Sequence, residues 1–344
     1  MNSNQTILLI YTGGTIGMME DPESGSLVPF DFAELRVHVP ELRRFECNIE
    51  IVSFDEPIDS SNVSIDSWQR MAHMVESNYE QYDGFVILHG TDTMAYSASA
   101  LSFMLQNLAK PVIFTGSQLP IGQIRTDGKE NLITSIEIAS ASDNNHPIIQ
   151  EVCVFFQSKL FRGNRTHKYS TENFDAFESA NLAPLAEAGI HIHYRRDLLL
   201  RPSGALTVRK AFDNHVAVLK IFPGLSPLVI EGILNLPELR AVVMETFGSG
   251  NGPTESWFID ALSAAIKRGV TILNVTQCNK GSVDQGLYET SESFEAMGII
   301  SGRDMTTEAA LVKLMYLLGL NYNSSDMRRI LLESISGELT TTEE

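Results

Sequence analysis

Cysteine is scarce in this 344-residue chain: Cys47, Cys153 and Cys278, an odd number at wide spacing. That argues against a disulfide framework or a zinc knuckle, and reduced thiols fit a cytoplasmic protein. Basic residues are also short, 25 Lys and Arg against 43 Asp and Glu, giving a formal net charge of −18. Such a surface repels phosphate, so no nucleic-acid partner is expected; acidity of this kind serves solubility. Long hydrophobic runs are missing too. The first apolar run has no basic segment before it and is shorter than a signal core or a membrane span, so no membrane association is expected. Internal repeats are lacking, and no His or Cys spacing suits a metal, so neither metal nor organic cofactor is expected. What is present is an ordinary globular composition, 43% apolar and 20% charged, long enough for one large or two medium domains.

Short apolar runs alternate with helical patterns. Strands are expected at Ile7–Tyr11, Glu50–Phe54, Gly84–Leu88, Val112–Thr115, Val152–Phe156, Val216–Ile221, Ala241–Glu245 and Val270–Val275. Several lack polar alternation, as parallel strands buried on both faces do. Trp68, Met71, Ala72 and Val75 recur at helical spacing behind Ser64, a suitable N-cap. Further helices are expected at Met94–Leu108, capped by Asp92, at Thr254–Lys267 and at Thr306–Leu318, where Glu308 suits the positive first turn. The alternation implies an α/β fold of two domains with mainly parallel sheets, a larger N-terminal and a smaller C-terminal one. We place them at 1–195 and 215–344, with the basic stretch 196–214 as linker. A hairpin insertion in the first domain is the alternative for that stretch. The tail "GELTTTEE" is expected to fray.

Each apolar run of the first half ends in polar residues: Thr12–Gly17, Asp55–Asn62, "HGTDT" (His89–Thr93), "GSQLP" (Gly116–Pro120) and "SKLFRGNRTHK", ending at Lys168. In an open parallel sheet these segments line the carboxyl edge, where ligands bind at a switch point. The first, Thr-Gly-Gly-Thr-Ile-Gly, has glycines at 13, 14 and 17, which do not match the dinucleotide spacing, and no phosphate-loop lysine follows. A tight turn needing positive φ explains the glycines but not Thr15. "HGTDT" adds Thr91 beside Asp92; capping a helix would occupy only one of them. A hydroxyl nucleophile needs a base or proton relay, and a Thr–Asp–Lys group can supply one.

"YTGGTIG" (Tyr11–Gly17) and "GFVILHGTDTMAYSASALSFML" (Gly84–Leu105) resemble the two active-site signatures of the bacterial-type L-asparaginases, specifically the type I cytoplasmic branch. The likeness runs on through "PVIFTGSQLP", "LFRGNRTHK", "METFGSGNGP", "NVTQC" and "GIISGRDMTTEAALVKL", nearly the whole chain. The resemblance implies an asparaginase-like fold and hydrolysis of L-asparagine to L-aspartate and ammonia. It implies Thr15 as the nucleophile that forms an acyl-enzyme, and Thr91, Asp92 and Lys168 as the second catalytic group. Asp59, Ser60 and Ser61 match the loop that holds the substrate's α-amino and α-carboxylate groups, a task Thr91 and Asp92 share. The Thr91 backbone N–H is the expected oxyanion donor.

The loop Met18–Pro29, rich in Gly, Ser and acids, is expected to close over the site. Two departures stand out. Relatives carry a tyrosine on that loop where Leu27 stands here, and Tyr288, in "GLYETS", is the candidate replacement. Some type I relatives bind asparagine at a second, regulatory site. Asn251, Thr276, Gln277 and Cys278 match parts of it, but its arginine position reads Glu245, which cannot pair with a carboxylate. The resemblance further implies a homodimer or homotetramer. Relatives acting on charged tRNA have an extra domain before the first signature; only 11 residues precede Thr12, which disfavours that role.

Overall fold

In the first half of the chain, five apolar runs become five parallel strands. The computed structural model describes residues 5–20, 27–29, 35, 39–285 and 289–341, and it divides into two units, Met1–Arg209 and Lys210–Glu344. The first unit holds β1 (Thr6–Tyr11), β2 (Asn48–Ser53), β3 (Gly84–Leu88), β4 (Val112–Thr115), β5 (Val152–Phe156), β6 (Lys159–Arg162), β7 (Ala186–Ala188) and β8 (Ile192–Tyr194). They form one eight-stranded sheet in the order β8-β7-β6-β5-β4-β3-β1-β2. β2, β1, β3, β4 and β5 are parallel, while β6, β7 and β8 pair antiparallel. Every residue of β3, β4 and β5 is buried, the burial on both faces that their unbroken apolar sequence predicts. The order reverses between β1 and β3, which puts a topological switch point at their carboxyl ends.

Among the described residues, three helices cover this sheet: α1 (Ile65–Ser77), α2 (Met94–Met104) and α3 (Gly128–Ser140). Ser64 and Ser67 form the capping box that starts α1, whose Trp68, Met71, Ala72 and Val75 are buried. All of α2 but Tyr96 is buried, which small side chains at 95, 97–100 and 102 permit. The helix stops at Met104, short of the expected Leu108. Leu105 and Gln106 pair instead with Val208 and Thr207, and Asn107 turns through φ 62°. Its N-cap is Thr93 and not Asp92.

The basic segment is laced back to the first unit. Arg196 pairs with Asp143, and Arg201 donates to the Ile148 carbonyl and Gln150. The buried Glu151–Arg162 pair binds the Leu200 amide and the Leu198 carbonyl.

The second unit holds β9 (Val216–Lys220), β10 (Ala241–Thr246), β11 (Thr271–Thr276) and β12 (Ile300–Ser301), all parallel and in chain order. Its helices are α4 (Pro227–Leu234), α5 (Ser256–Lys267), α6 (Glu289–Met297), α7 (Thr307–Gly319) and α8 (Ser324–Leu332). Thr306 caps α7 by accepting from the Ala309 amide at 3.1 Å. The tail does not fray where described. Glu338 and Leu339 are buried, and Glu338 meets the equally buried Lys313 of α7 at 2.7 Å. The Thr340 amide and hydroxyl both donate to Asp304. Burial alone would raise the Glu338 carboxyl, but the Lys313 ammonium and the Ile335 and Ser336 amides outweigh it and hold it low.

Candidate active site

The site is built where β1 and β3 end. Gly13 and Gly14 stand at φ 134° and 89°, a region that side chains disfavour. A Cβ on Gly13 would lie 2.0 Å from the Ile58 carbonyl oxygen, and one on Gly14 2.5 Å from the Gly90 backbone. The two glycines thus let three loops touch. The Ile58 amide donates to the Thr12 carbonyl, Thr12 donates through its amide and hydroxyl to the Leu88 carbonyl, and Thr93 Oγ1 donates to the Ser60 carbonyl. Thr15 follows at once, opening a single 3-10 turn, Thr15–Gly17. It is half-buried, and among the described residues its hydroxyl has no hydrogen-bond partner.

Lys168 lies 76 positions beyond Asp92, yet its ammonium donates to Asp92 Oδ1 at 2.7 Å and to Thr91 Oγ1 at 2.8 Å. The lysine side chain is 15% exposed and the aspartate 64%, so the pair forms a wall with one wet edge. Thr91 Oγ1 in turn donates to Gln118 Oε1 at 3.3 Å. Gln118 belongs to the "GSQLP" loop, and sequence reasoning gave it no role. Its amide and that of Leu119 donate to Asp127, which begins α3, while its Nε2 reaches the Asn173 carbonyl. Burial raises the Asp127 carboxyl, against the pull of those amides. The only signal in the sequence was position: the loop follows β4 as the Thr91 loop follows β3.

Ser60 is buried against Gly90, whose Cβ would stand 2.5 Å from Ser60 Oγ. Asp59 accepts from the Ser61 amide and hydroxyl, both at 2.9 Å, and these two bonds hold its carboxyl below the usual range. The structure therefore gathers the loops of Thr15, Asp59, Ser60, Ser61, Thr91, Asp92 and Lys168. Of the expected closing loop, Met18–Glu20 and Leu27–Pro29 pair as an antiparallel ribbon; residues 21–26 lie outside the described residues. Tyr288 also lies outside them.

In the second unit, Thr276 Oγ1 donates to the Gly248 carbonyl at 2.6 Å and accepts from the Cys278 amide. Gly248 sits in the turn that Phe247 and Asn251 close, so Asn251, Thr276 and Cys278 share one loop cluster. Glu245 is already engaged, by Thr307 Oγ1 at 2.7 Å and by Lys220 at 3.3 Å.

A hydroxyl with no partner among the described residues, a lysine shared between threonine and aspartate, and donors at a strand end make an arrangement suited to acyl transfer. The family model described as "Asparaginase, N-terminal" matches residues 6–200, and that described as "Glutaminase/Asparaginase C-terminal domain" matches residues 215–331. L-asparaginase 1 of Escherichia coli K12 is 42% identical over 98% of each chain. The 60 kDa lysophospholipase of Homo sapiens is 41% identical, over 97% of this chain and 61% of its own. The solved structure of L-asparaginase I from Vibrio cholerae superposes with a TM-score of 0.89 at 41% identity, over 98% of this chain and 100% of that one. Matches of this extent over both units show that the chain belongs to the asparaginase/glutaminase family.

Proposed function

We propose that this protein is an L-asparaginase, hydrolysing the side-chain amide of L-asparagine to L-aspartate and ammonia through a threonyl acyl-enzyme. The observation that carries this reading is the reach of Lys168 to both Thr91 and Asp92, on the loop whose Gly90 backbone lies against Gly14, next to Thr15. The family and the 42% identity to an L-asparaginase point the same way.

Asp92 meets the substrate ammonium, and the Asp59–Ser61 loop meets its carboxylate. Anchoring both ends sets the amide carbon against Thr15 Oγ1. Thr15 attacks, its proton passing to the Thr91 hydroxyl, which releases its own toward the departing nitrogen while the Lys168 ammonium holds Thr91 Oγ1 in place, and the Thr91 amide takes the oxyanion. The C–N bond breaks as the Thr91 proton reaches that nitrogen. Water then cleaves the aspartyl ester and returns the Thr15 hydroxyl. Thr91 Oγ1 is tied to Lys168 and Gln118, whereas Thr15 Oγ1 is tied to nothing described, which favours Thr15 as the attacking group. Tyr288 remains the candidate for the hydroxyl missing at Leu27.

Ammonia release from purified protein, measured side by side with asparagine and glutamine, tests the reading. A rate on glutamine above that on asparagine would reassign the substrate. We further propose that the enzyme works in a reducing cytoplasm, with three unpaired thiols, and as a homodimer or homotetramer. The exposure of the large apolar side chains of Phe222, Leu228, Val229 and Leu236, all in the second unit, supports self-association. Light scattering after size exclusion, with Leu228→Glu as the disrupting variant, checks it. With an acid at the position of the matching arginine, and Glu245 engaged by Thr307 and Lys220, asparagine kinetics are expected to be hyperbolic.

A further inference from the structure

His89 ends up in the core. It follows β3 directly, is 1% exposed, and is not among the groups the proposed chemistry uses. Its Nδ1 lies 2.6 Å from the Gly90 carbonyl oxygen and its Nε2 2.9 Å from Ser97 Oγ on α2. Ser97 Oγ accepts in turn from Trp68 Nε1 of α1 at 3.0 Å. An indole nitrogen only donates and a carbonyl only accepts, so both ends of this chain have a fixed sense. Trp68 donates to Ser97, Ser97 donates to His89 Nε2, and His89 Nδ1–H donates to Gly90. Burial pushes the imidazole down to about 4, against the pull of the Gly90 carbonyl, so at neutral pH it carries one proton. Only the Nδ1–H tautomer satisfies both neighbours. Phe114 packs edge-on against the ring at 5.8 Å and fixes its plane.

The carbonyl that His89 holds belongs to the Gly90–Thr91 peptide. In a trans peptide C=O and N–H point in opposite directions. Drawing the Gly90 oxygen toward the buried ring therefore turns the Thr91 N–H away from it. Among the described residues that N–H has no acceptor. A glycine at 90 leaves this peptide free to rotate, and a glycine is required because Ser60 Oγ occupies the Cβ position. Something other than local sterics must set its orientation.

We propose that His89 is a positioning residue: backed by Ser97 and Trp68, it clamps the Gly90–Thr91 peptide so that the Thr91 amide faces the oxyanion. This rests on the proposed reading of Thr91 as oxyanion donor. Loss of one such donor costs about 10²–10³ in kcat, and a freed peptide still samples the right orientation, so a drop of roughly 10- to 100-fold is expected for His89→Leu. KM for L-asparagine and affinity for L-aspartate should stay within about threefold, since neither reports the oxyanion contact. His89→Asn puts an amide nitrogen near the Nδ1 position and should restore most of kcat. His89→Gln puts its nitrogen near Nε2 and should behave as His89→Leu.

Wild-type turnover of L-asparagine is read first. Its absence overturns the proposed function and the clamp together. An active wild type with His89→Leu retaining more than half of kcat overturns the clamp alone. So does an equal loss in the Asn and Leu variants that tracks a fall in melting temperature, because the ring would then matter only as core packing.

Discussion

The two units both build mainly parallel sheets from similar apolar strands, but their strand orders differ, and so does what their strand ends hold. In the first, the order β2-β1-β3-β4-β5 reverses at β1, and the loops that follow β1 and β3 meet at that switch point. In the second, β9 to β12 follow chain order, and right-handed crossovers carry every connection to the same face. Side chains at the strand ends differ accordingly. In the second unit they satisfy nearby backbone: Gln277 Nε2 donates to the Ile221 and Glu245 carbonyls, Asn274 to the Gly250 carbonyl, Thr276 to the Gly248 carbonyl. In the first, Lys168, Thr91, Asp92 and Gln118 bind one another, and the Thr15 hydroxyl has no partner among the described residues. Side chains spent on local backbone hold loops; those that converge on one another can act on a substrate.

The sharpest way to break this contrast is to remove hydroxyls on each side of it. Thr15→Ala and Thr91→Ala should each lower kcat by at least about 10³, roughly 4 kcal/mol of transition-state stabilisation. Thr276→Ala, an equally well-placed strand-end threonine of the second unit, should leave kcat within about twofold. Steady-state ammonia release decides it. Near-normal turnover in either first-unit variant removes that threonine from the chemistry.

For the second unit the expected role is stability, and the strongest test is the buried pair. Glu338→Gln takes the opposing charge from the Lys313 ammonium at 0% exposure, leaving it the Leu331 and Glu333 carbonyls and a neutral amide oxygen. Breaking a buried pair from one side costs about 3–5 kcal/mol; the remaining carbonyls and the glutamine oxygen put this case near 3. Urea unfolding should show that loss, with kcat unchanged below the transition. The Glu338 carboxyl is held low in the fold, so its contribution is present above the unfolded value and lost as pH falls through the folded one.

What the sequence revealed follows the same divide. Thr15, Thr91, Asp92 and Lys168 were legible because each stands directly behind an apolar run or its hairpin return, and parallel strands with buried faces announce themselves as such runs. The return strands β6 to β8 were not. The turn from β5 to β6 passes through Gln157 and Ser158, both at positive φ (45° and 66°), with neither the Asn nor the Gly that marks such hairpins. The Asn131 side chain of α3 supports it instead, accepting from the Gln157 amide. Gln118 was unreadable because an amide in a turn looks like any other turn filler. The tail read as frayed because its anchor, Lys313, lies on a helix 25 positions earlier. Asp92 looked like a helix cap until Lys168 arrived from a distant loop to claim it. Local signals find strand ends; pairings across the fold need the fold.

A smaller effect separates the units by pH. His89 has its folded-state value pushed down to about 4, below that of an unfolded chain near 6.5. Between those values the unfolded chain binds more protons, so this contribution is complete above about 6.5 and is lost as pH falls toward 4. At pH 5 the loss is about 2 kcal/mol relative to pH 7. His89→Asn carries no titrating ring and should flatten that part of the curve. A melting temperature that falls as steeply from pH 7 to 5 in His89→Asn as in the wild type would assign the acid sensitivity to other groups.

The smallest expected effect is the one on regulation, and it bears on the second unit alone. A regulatory asparagine would need a cation to take its carboxylate, and at the matching position Glu245 presents negative charge already bound by Thr307 and Lys220. Asn251→Ala and Cys278→Ser should therefore shift the asparagine saturation curve by less than about twofold and leave its shape hyperbolic. Glu245→Arg supplies the absent charge, though it also breaks the contacts to Thr307 and Lys220. A sigmoid in the wild type that either Asn251→Ala or Cys278→Ser abolishes would show that the second unit binds ligand after all. Saturated strand ends would then be no guide to function, and the contrast between the two sheets would fail at its weaker end.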